Sequence, residues 1–358
     1  MAGKKDDIKD LSLEELKARL KSLKEPPYRA EQIFEWIYQK GISSPEGIIS
    51  FGQMTDLPAK LRDYLSDKFS ITGSEIIKTQ ISKLNGTRKY LFKLNDGETV
   101  EGVLIPAKDI TGRQTICLSS QVGCAFGCKF CASGLLGIKR DLRCGEILDQ
   151  ALGIQDDTKQ RITNAVMMGT GEPLANYDNV MKAIAALNSP HGFGIGARKI
   201  TVSTAGYIPG IKRYMEEKAQ FELSISLHAA TDEVRSMLMP INRKYPLAEL
   251  MDVCREYTKE KGRIITFEYV LIKNLNSSLK DAQNLVRLLK GLNCKVNLIP
   301  FNRVSGLSYS PPSYGESRDF QELLEKGGIN STIRAQRGAD IDAACGQLRL
   351  RETEKGRL

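Results

Sequence analysis

Three cysteines stand four and then three residues apart in Cys124-Ala-Phe-Gly-Cys128-Lys-Phe-Cys131, directly after an apolar, strand-like run. Thiolates packed this closely are metal ligands by type and spacing. Three soft ligands with no fourth nearby leave one coordination position open, whereas zinc fingers and ordinary ferredoxin clusters fill theirs with a fourth Cys or a His. An open position suggests catalysis. Two other readings compete: a structural zinc completed by a distant cysteine, and a buried disulfide or chance clustering. Against the last, Gly123, Gly127 and the short gaps curl the backbone around a common centre.

The elements that must position these thiols are legible from hydrophobic periodicity. Short runs rich in Val, Ile and Leu at 115–119, 165–168, 199–203, 223–227, 264–271 and 295–299 are each followed by a helix-compatible stretch. Six such β/α units predict a parallel sheet buried on both faces, an α/β protein built as a partial (β/α)6 TIM-like barrel with its chemistry in the loops after the strand C-termini. The first strand runs into the cysteine loop, the second into Gly169-Thr-Gly-Glu-Pro173, the third into 203–206, the fourth into 226–228 and the sixth into 300–302. One rim then gathers thiols, a carboxylate, hydroxyls and an amide.

Ahead of the barrel, Ser12-Leu-Glu-Glu15 is a capping box, and Leu13, Leu16 and Leu20 keep helical spacing before Pro26-Pro27. A second helix carries Ile33, Phe34, Trp36 and Ile37 on one face, with Trp36 expected in the core. A third, at about 58–69, carries Leu61, Tyr64 and Leu65. From Glu75 the period changes to alternation, with Asn85-Gly86 and Asn95-Asp96-Gly97 as turns between strands at 76–84, 89–94 and 100–105. The predicted organisation is a helical accessory unit at 1–72, a β-hairpin connector at 73–109, the barrel at 110–348 and a basic tail at 349–358.

A chain of 358 residues with 41% hydrophobic content buries a substantial core without staples. A tight trio plus scattered single cysteines among eight, and a charged rather than apolar beginning, predict reduced thiols in the cytoplasm. The apolar runs are too short and too interrupted to span a membrane. A net charge of +9, bunched at sites such as 17–24, 139–140, 243–244 and 349–357, points to a polyanionic partner, nucleic acid first. Lys17 to Lys24 and Arg29 are candidates for phosphate contacts, against the reading that they form a solvated helix face.

The trio followed by Gly169-Thr-Gly-Glu-Pro173 resembles the radical S-adenosylmethionine enzymes. Ser119-Ser-Gln-Val-Gly-Cys124, Met167-Met-Gly-Thr-Gly-Glu-Pro173, Leu298-Ile-Pro-Phe-Asn302 and Asp340-Ile-Asp-Ala-Ala-Cys-Gly-Gln347 resemble, more narrowly, the dual-specificity RNA methyltransferases that act on adenine C2. The resemblance runs from the first helices to about Leu348. It implies that Cys124, Cys128 and Cys131 hold a 4Fe–4S cluster, and that S-adenosylmethionine, two molecules per turnover, lies against Gly171, Glu172, Ser203, Ser226, Leu227, His228 and Asn302. It implies that Cys345 is methylated, gives up a hydrogen atom to the cofactor radical and joins the base through a methylene bridge. Cys117 is then the thiol that resolves this adduct through a disulfide, and Glu101 the general base. The implied substrates are 23S ribosomal RNA in the peptidyl transferase region and the anticodon loop of transfer RNAs. The implied electron donor is a flavodoxin-type reductant, and the implied state a monomer.

By residue type alone, Cys117 reads as a buried strand cysteine, Glu101 as a solvated surface charge and His228 as a hydrogen-bonded core residue. Cys144, Cys254 and Cys294 match no motif and read as packing residues. Two alternatives stay open: a related resistance methyltransferase acting on adenine C8, and a zinc-stabilised, non-catalytic RNA-binding protein. Pro173 after Glu172 and Pro300 after Ile299 resemble the C2 type.

Overall fold

The structure is a computed structural model, and it describes residues 5–40, 50–107, 112–135, 137–302, 307–334, 337–338, 340–341 and 347–354. Its first unit packs α1 (Leu13–Lys21), α2 (Tyr28–Glu35) and α3 (Ala59–Lys68) around Leu16, Leu20, Ile33, Phe34, Leu61 and Leu65, all buried. The capping box forms as expected: Glu15 N donates to Ser12 Oγ at 3.2 Å while Ser12 N donates to the Glu15 carboxylate at 2.8 Å. Trp36 only half enters the core, and its indole N–H donates to Asp56 at 2.6 Å.

Polar contacts fasten this unit to the rest of the chain through α4 (Cys144–Thr158). Lys9 is 2% exposed, which strands its ammonium unless carboxylates meet it. Asp149 does so at 2.5 Å and Asp7 at 3.5 Å. Asp10 accepts from Gly145 N at 2.8 Å and from Arg143.

The main sheet has ten strands: β1 (Glu75–Ile81), β2 (Arg88–Lys93), β3 (Thr99–Pro106), β4 (Gln114–Cys117), β5 (Asn164–Met167), β6 (Ile200–Thr204), β7 (Glu222–Ser226), β8 (Ile265–Leu271), β9 (Cys294–Pro300) and β10 (Asn330–Ile333). They stand side by side in strict chain order from β1 to β10, an open sheet rather than a closed barrel. From β4 to β10 every pairing is parallel, so each step back needs a crossover, usually a helix such as α5 (Tyr177–Asn188) between β5 and β6.

Two expectations change here. The parallel part has a seventh strand, β10, whose four residues are too few for periodicity to reveal. The antiparallel β1–β3 ribbon, expected as a hairpin connector, also extends the same sheet, since β3 pairs with β4 through Val103↔Cys117 and Leu104↔Ile116. Among the described residues, no helix is long and apolar enough to cross a membrane.

Candidate active site

The loops after β4, β5, β6 and β7 meet over one cavity of about 360 Å³. The cysteine loop leaves β4 through Gln121–Gly123, which pairs with Ile138–Asp141 and closes the loop on itself, Cys124 N donating to Gly137 O at 2.9 Å. Gly123 has φ +83°, and a Cβ there would lie 1.8 Å from Gly137 O, so no other residue permits this closure.

The glycine loop after β5 is knitted to the first loop. Ser120 N and Gln121 N both donate to Thr170 O, Thr170 N donates to Ser119 Oγ at 2.9 Å, and Glu172 N donates to Gln121 Oε1 at 2.8 Å. Gly171, at φ +108°, passes so close to Gln121 that a Cβ would stand 2.6 Å from its side chain. The two loops are therefore one rigid unit. Arg235, fully buried, wires the next two loops together by donating to Ala205 O at 2.8 Å, Leu227 O at 3.2 Å and Ser226 O at 3.3 Å.

Cys124, Cys128 and Cys131 line the cavity together with Cys117, and so do Gly171, Glu172, Ser203, Ser226 and His228. Burial pushes the Cys124 thiol up to about 11, with Glu172 and Cys131 adding to it. Burial raises Cys128 further, helped by the charges of its two companion cysteines and opposed by Arg235. Three cysteine sulfurs carried by one loop and lining one cavity are a donor set that fits an iron–sulfur cluster, whose cations supply the countercharge that thiolates need. Among the described residues, no three His, Cys, Asp or Glu side chains already stand in metal-ligand geometry.

Burial also pushes the Glu172 carboxyl up to about 7, against the donors Ala205 N at 2.8 Å and Leu174 N at 3.2 Å. His228 adopts φ 58° and accepts from Val270 N through Nδ1 at 3.0 Å. Its ring meets Phe130 edge-on at 4.6 Å. Burial, with Arg235 beside it, drops its pKa to about 3, so the imidazole is neutral. It is thus both a satisfied core residue and a lining residue.

Not every residue expected at the site lines the cavity. Leu227 is fully buried and takes part through its backbone N–H, which donates to Glu268 O at 3.0 Å. Asn302, half-buried beyond β9, and Glu101 are absent from the lining. Cys345 lies outside the described residues.

Glu101 departs most from a solvated charge. It is 3% exposed, forms an ion pair at 2.7 Å with the equally buried Lys89, and accepts the backbone N–H of Arg349 at 2.7 Å. Asp340, on the other flank of residues 342–346, accepts from Ser82 Oγ at 2.6 Å and Lys83 N at 2.8 Å. Described residues on both sides of Cys345 are therefore tied to the β1–β3 ribbon. Lys89→Met would strand the Glu101 carboxylate, and a loss of about 3–5 kcal/mol in denaturant unfolding is expected. A loss under about 1 kcal/mol would show the pair to be dispensable.

Sequence reading missed Lys89, Arg235, Glu268 and Arg334. The signal for Glu268 was present, a lone charge inside the apolar run Ile265–Leu271. For Lys89 and Arg235 nothing local distinguishes a buried cation from a surface one, and half-exposed Arg334 carries no local signal either.

An open parallel sheet with three thiols after its first strand and a glycine loop after its second is the architecture of a radical S-adenosylmethionine enzyme, and the Radical SAM superfamily model matches residues 118–289. The model of the ribosomal RNA large subunit methyltransferase N-terminal domain matches residues 6–71. A protein of Alkaliphilus oremlandii named probable dual-specificity RNA methyltransferase RlmN is 46% identical over 350 residues, 98% of this chain and 99% of its own. The like-named protein of Geobacillus kaustophilus is 46% identical over 97% of this chain and 93% of its own. A crystal structure of a radical SAM methyltransferase from Sphaerobacter thermophilus superposes with a TM-score of 0.86 at 42% identity, covering 96% of this chain and 98% of that one. The chain belongs to the RlmN family of radical SAM RNA methyltransferases. With that membership come a 4Fe–4S cluster and S-adenosylmethionine as cofactors.

Proposed function

We propose that the protein methylates C2 of an adenine in 23S ribosomal RNA and in the anticodon loop of transfer RNAs. The observation that carries this reading is that Cys117 lines the same cavity as Cys124, Cys128 and Cys131. A second thiol is superfluous for making a radical and is required for releasing a covalently held product. When bound, the cluster and S-adenosylmethionine supply the methyl group and the carbon radical that an electron-poor aromatic carbon demands.

The three cysteines of the loop hold the cluster. The Gly171–Glu172 turn, the hydroxyls of Ser203 and Ser226 and the ring of His228, all lining the cavity, would hold the cofactor, with the Leu227 backbone and Asn302 contributing from outside that lining. Cys345 carries the one-carbon unit and joins it to the base as a thioether. Glu101 is the acceptor for the C2 proton, supported by its closeness to the Cys117 thiol, on which its charge acts. Cys117 then attacks the Cys345 sulfur. The sulfur–carbon bond breaks, its electron pair stays with the carbon, which takes up a proton to become methyl, and a Cys117–Cys345 disulfide remains for an external thiol to reduce.

A flavodoxin-type electron donor and a cytoplasmic monomer complete the proposal, supported by the one-electron demand of the cofactor chemistry and by the spread of cysteines. In the helical unit, Lys17 is engaged by Glu14 at 3.3 Å and Glu31 at 3.0 Å, and Arg29 donates to Asp56 O at 2.8 Å. Exposed Lys21 and Lys24 are then its better phosphate contacts.

The test incubates reconstituted enzyme with S-adenosylmethionine, a reductant and unmodified RNA, and identifies the nucleoside by mass spectrometry. 2-Methyladenosine is expected. 8-Methyladenosine as the product would overturn the C2 assignment, and no methylated base the reading as a whole.

A further inference from the structure

Glu268 sits on β8 between Phe267 and Tyr269, 5% exposed, and is one of the residues lining the cavity. Its Oε1 is held by Ser224 Oγ at 3.1 Å and Asn297 Nδ2 at 2.9 Å. Its Oε2 is buried and meets no donor among the described residues. A buried carboxylate oxygen left unmatched is costly, which indicates a donor arriving with a ligand. Beside it stands Arg334, half exposed at the end of β10, its guanidinium 3.9 Å from Oε1 and also lining the cavity.

We propose that Glu268 and Arg334 read the N6–N7 edge of an adenine bound in this cavity. The inference rests on the proposed function and names the base-recognition subsite of the same site. An ionised carboxylate only accepts and a guanidinium only donates. Adenine offers the complement on that edge, an amino donor at N6 beside an acceptor at N7, whereas guanine offers two acceptors there. Ribose hydroxyls have other partners, since Ser133, Ser203, Thr204 and Ser226 line the same space.

Placement in the sheet gives the subsite a consequence. Glu268 on β8 and Cys117 on β4 are separated by three intervening strands of the sheet, and both line the cavity. A purine held by its N6–N7 edge at β8 turns C2, at the far side of the ring system, toward Cys117. C8, adjacent to N7, stays on the Glu268 side.

Two adenines qualify, the RNA target and that of the cofactor, and the experiment separates them. Cluster-loaded full-length enzyme is compared with Glu268→Gln, which keeps its size and its Ser224 and Asn297 contacts but places a donor where Oε2 stood, and with Arg334→Met, a half-exposed position that tolerates change. RNA hairpins carry adenosine, purine riboside, lacking the amino group, or 7-deazaadenosine at the target. S-adenosylhomocysteine and its purine-riboside counterpart probe the cofactor site by calorimetry. Each variant is expected to weaken binding of the adenosine hairpin about tenfold or more. Purine riboside should cost the wild type a similar factor and cost Glu268→Gln little further, and 7-deazaadenosine should pair in the same way with Arg334→Met. The same non-additivity appearing only with the S-adenosylhomocysteine pair supports the subsite and assigns it to the cofactor adenine. Unchanged affinities in both arms, with the wild type binding both ligands, overturn the inference alone. A wild type that binds neither ligand overturns the proposed function and this inference with it.

Discussion

Cys117→Ala enzyme given S-adenosylmethionine, a reductant and RNA should stop with RNA covalently attached through Cys345, seen as a protein band shifted by the mass of the RNA and sensitive to ribonuclease. The methylene bridge forms without Cys117, because that thiol acts only on the sulfur of the finished adduct. Turnover should fall by at least about a thousandfold, the range seen when a nucleophile is removed from a unit that acts in concert. A variant that turns over normally, or that accumulates no adduct, would remove Cys117 from the mechanism.

The wild-type thiol carries a pH signature. Burial pushes Cys117 up to about 11, opposed by the positive charge of Lys89. Only the thiolate attacks, and at pH 8 it is about one part in a thousand of such a thiol. Adduct resolution in a single turnover should therefore quicken about tenfold per pH unit between roughly pH 6.5 and 8.5. A flat profile over that interval would show that the thiol is already ionised when the adduct forms. Lys89→Met removes the opposing charge and should slow resolution further at any pH in the interval.

Cys128→Ala should abolish bound iron. The loop supplies three cysteine sulfurs, Cys117 not among them, and loss of one leaves two. Even outer-shell changes cost metal sites about 10- to 100-fold in affinity, so losing a direct ligand should leave the purified protein colourless, with cofactor cleavage below detection. Because Cys128 packs against a small satellite cluster rather than the main core, the metal-free thermal midpoint should move by only a few degrees. Iron content and visible absorbance that persist in this variant would exclude the loop as the cluster site. Zinc in place of iron in the wild type would favour the structural-metal alternative.

Much of the fold was legible in the chain. The strands at 115–119, 165–168, 199–203, 223–227, 264–271 and 295–299 fall within a residue or two of β4 to β9, because buried strands declare themselves as short runs of branched apolar residues bounded by turns. The Ser12–Glu15 box and the Asn85-Gly86 and Asn95-Asp96-Gly97 turns did the same for α1 and the ribbon. β10 stayed hidden in four residues, and so did the Gln121–Gly123 and Ile138–Asp141 pairing, whose partners are separated by the cysteine loop. Glu101 looked like a surface charge because a lone carboxylate in an alternating strand usually is one. Only the register Lys89↔Val103↔Cys117 across β2, β3 and β4 brings a buried lysine beside it.

The amino-acid sequence by itself determined the inventory: three thiols at ligand spacing, glycines where the backbone must turn left-handed, and six short apolar strands each followed by a helix-compatible stretch. These are short-range properties, set by φ/ψ limits and by periods of two and 3.6 residues. Tertiary structure decided which groups share a cavity, that Cys117 lines it with the loop cysteines while Cys144 and Cys254 pack away in the core, that Glu101 is paired with Lys89, and that one buried oxygen of Glu268 has no donor among the described residues. Those outcomes depend on register and sheet curvature accumulated over more than a hundred residues, which no local pattern encodes.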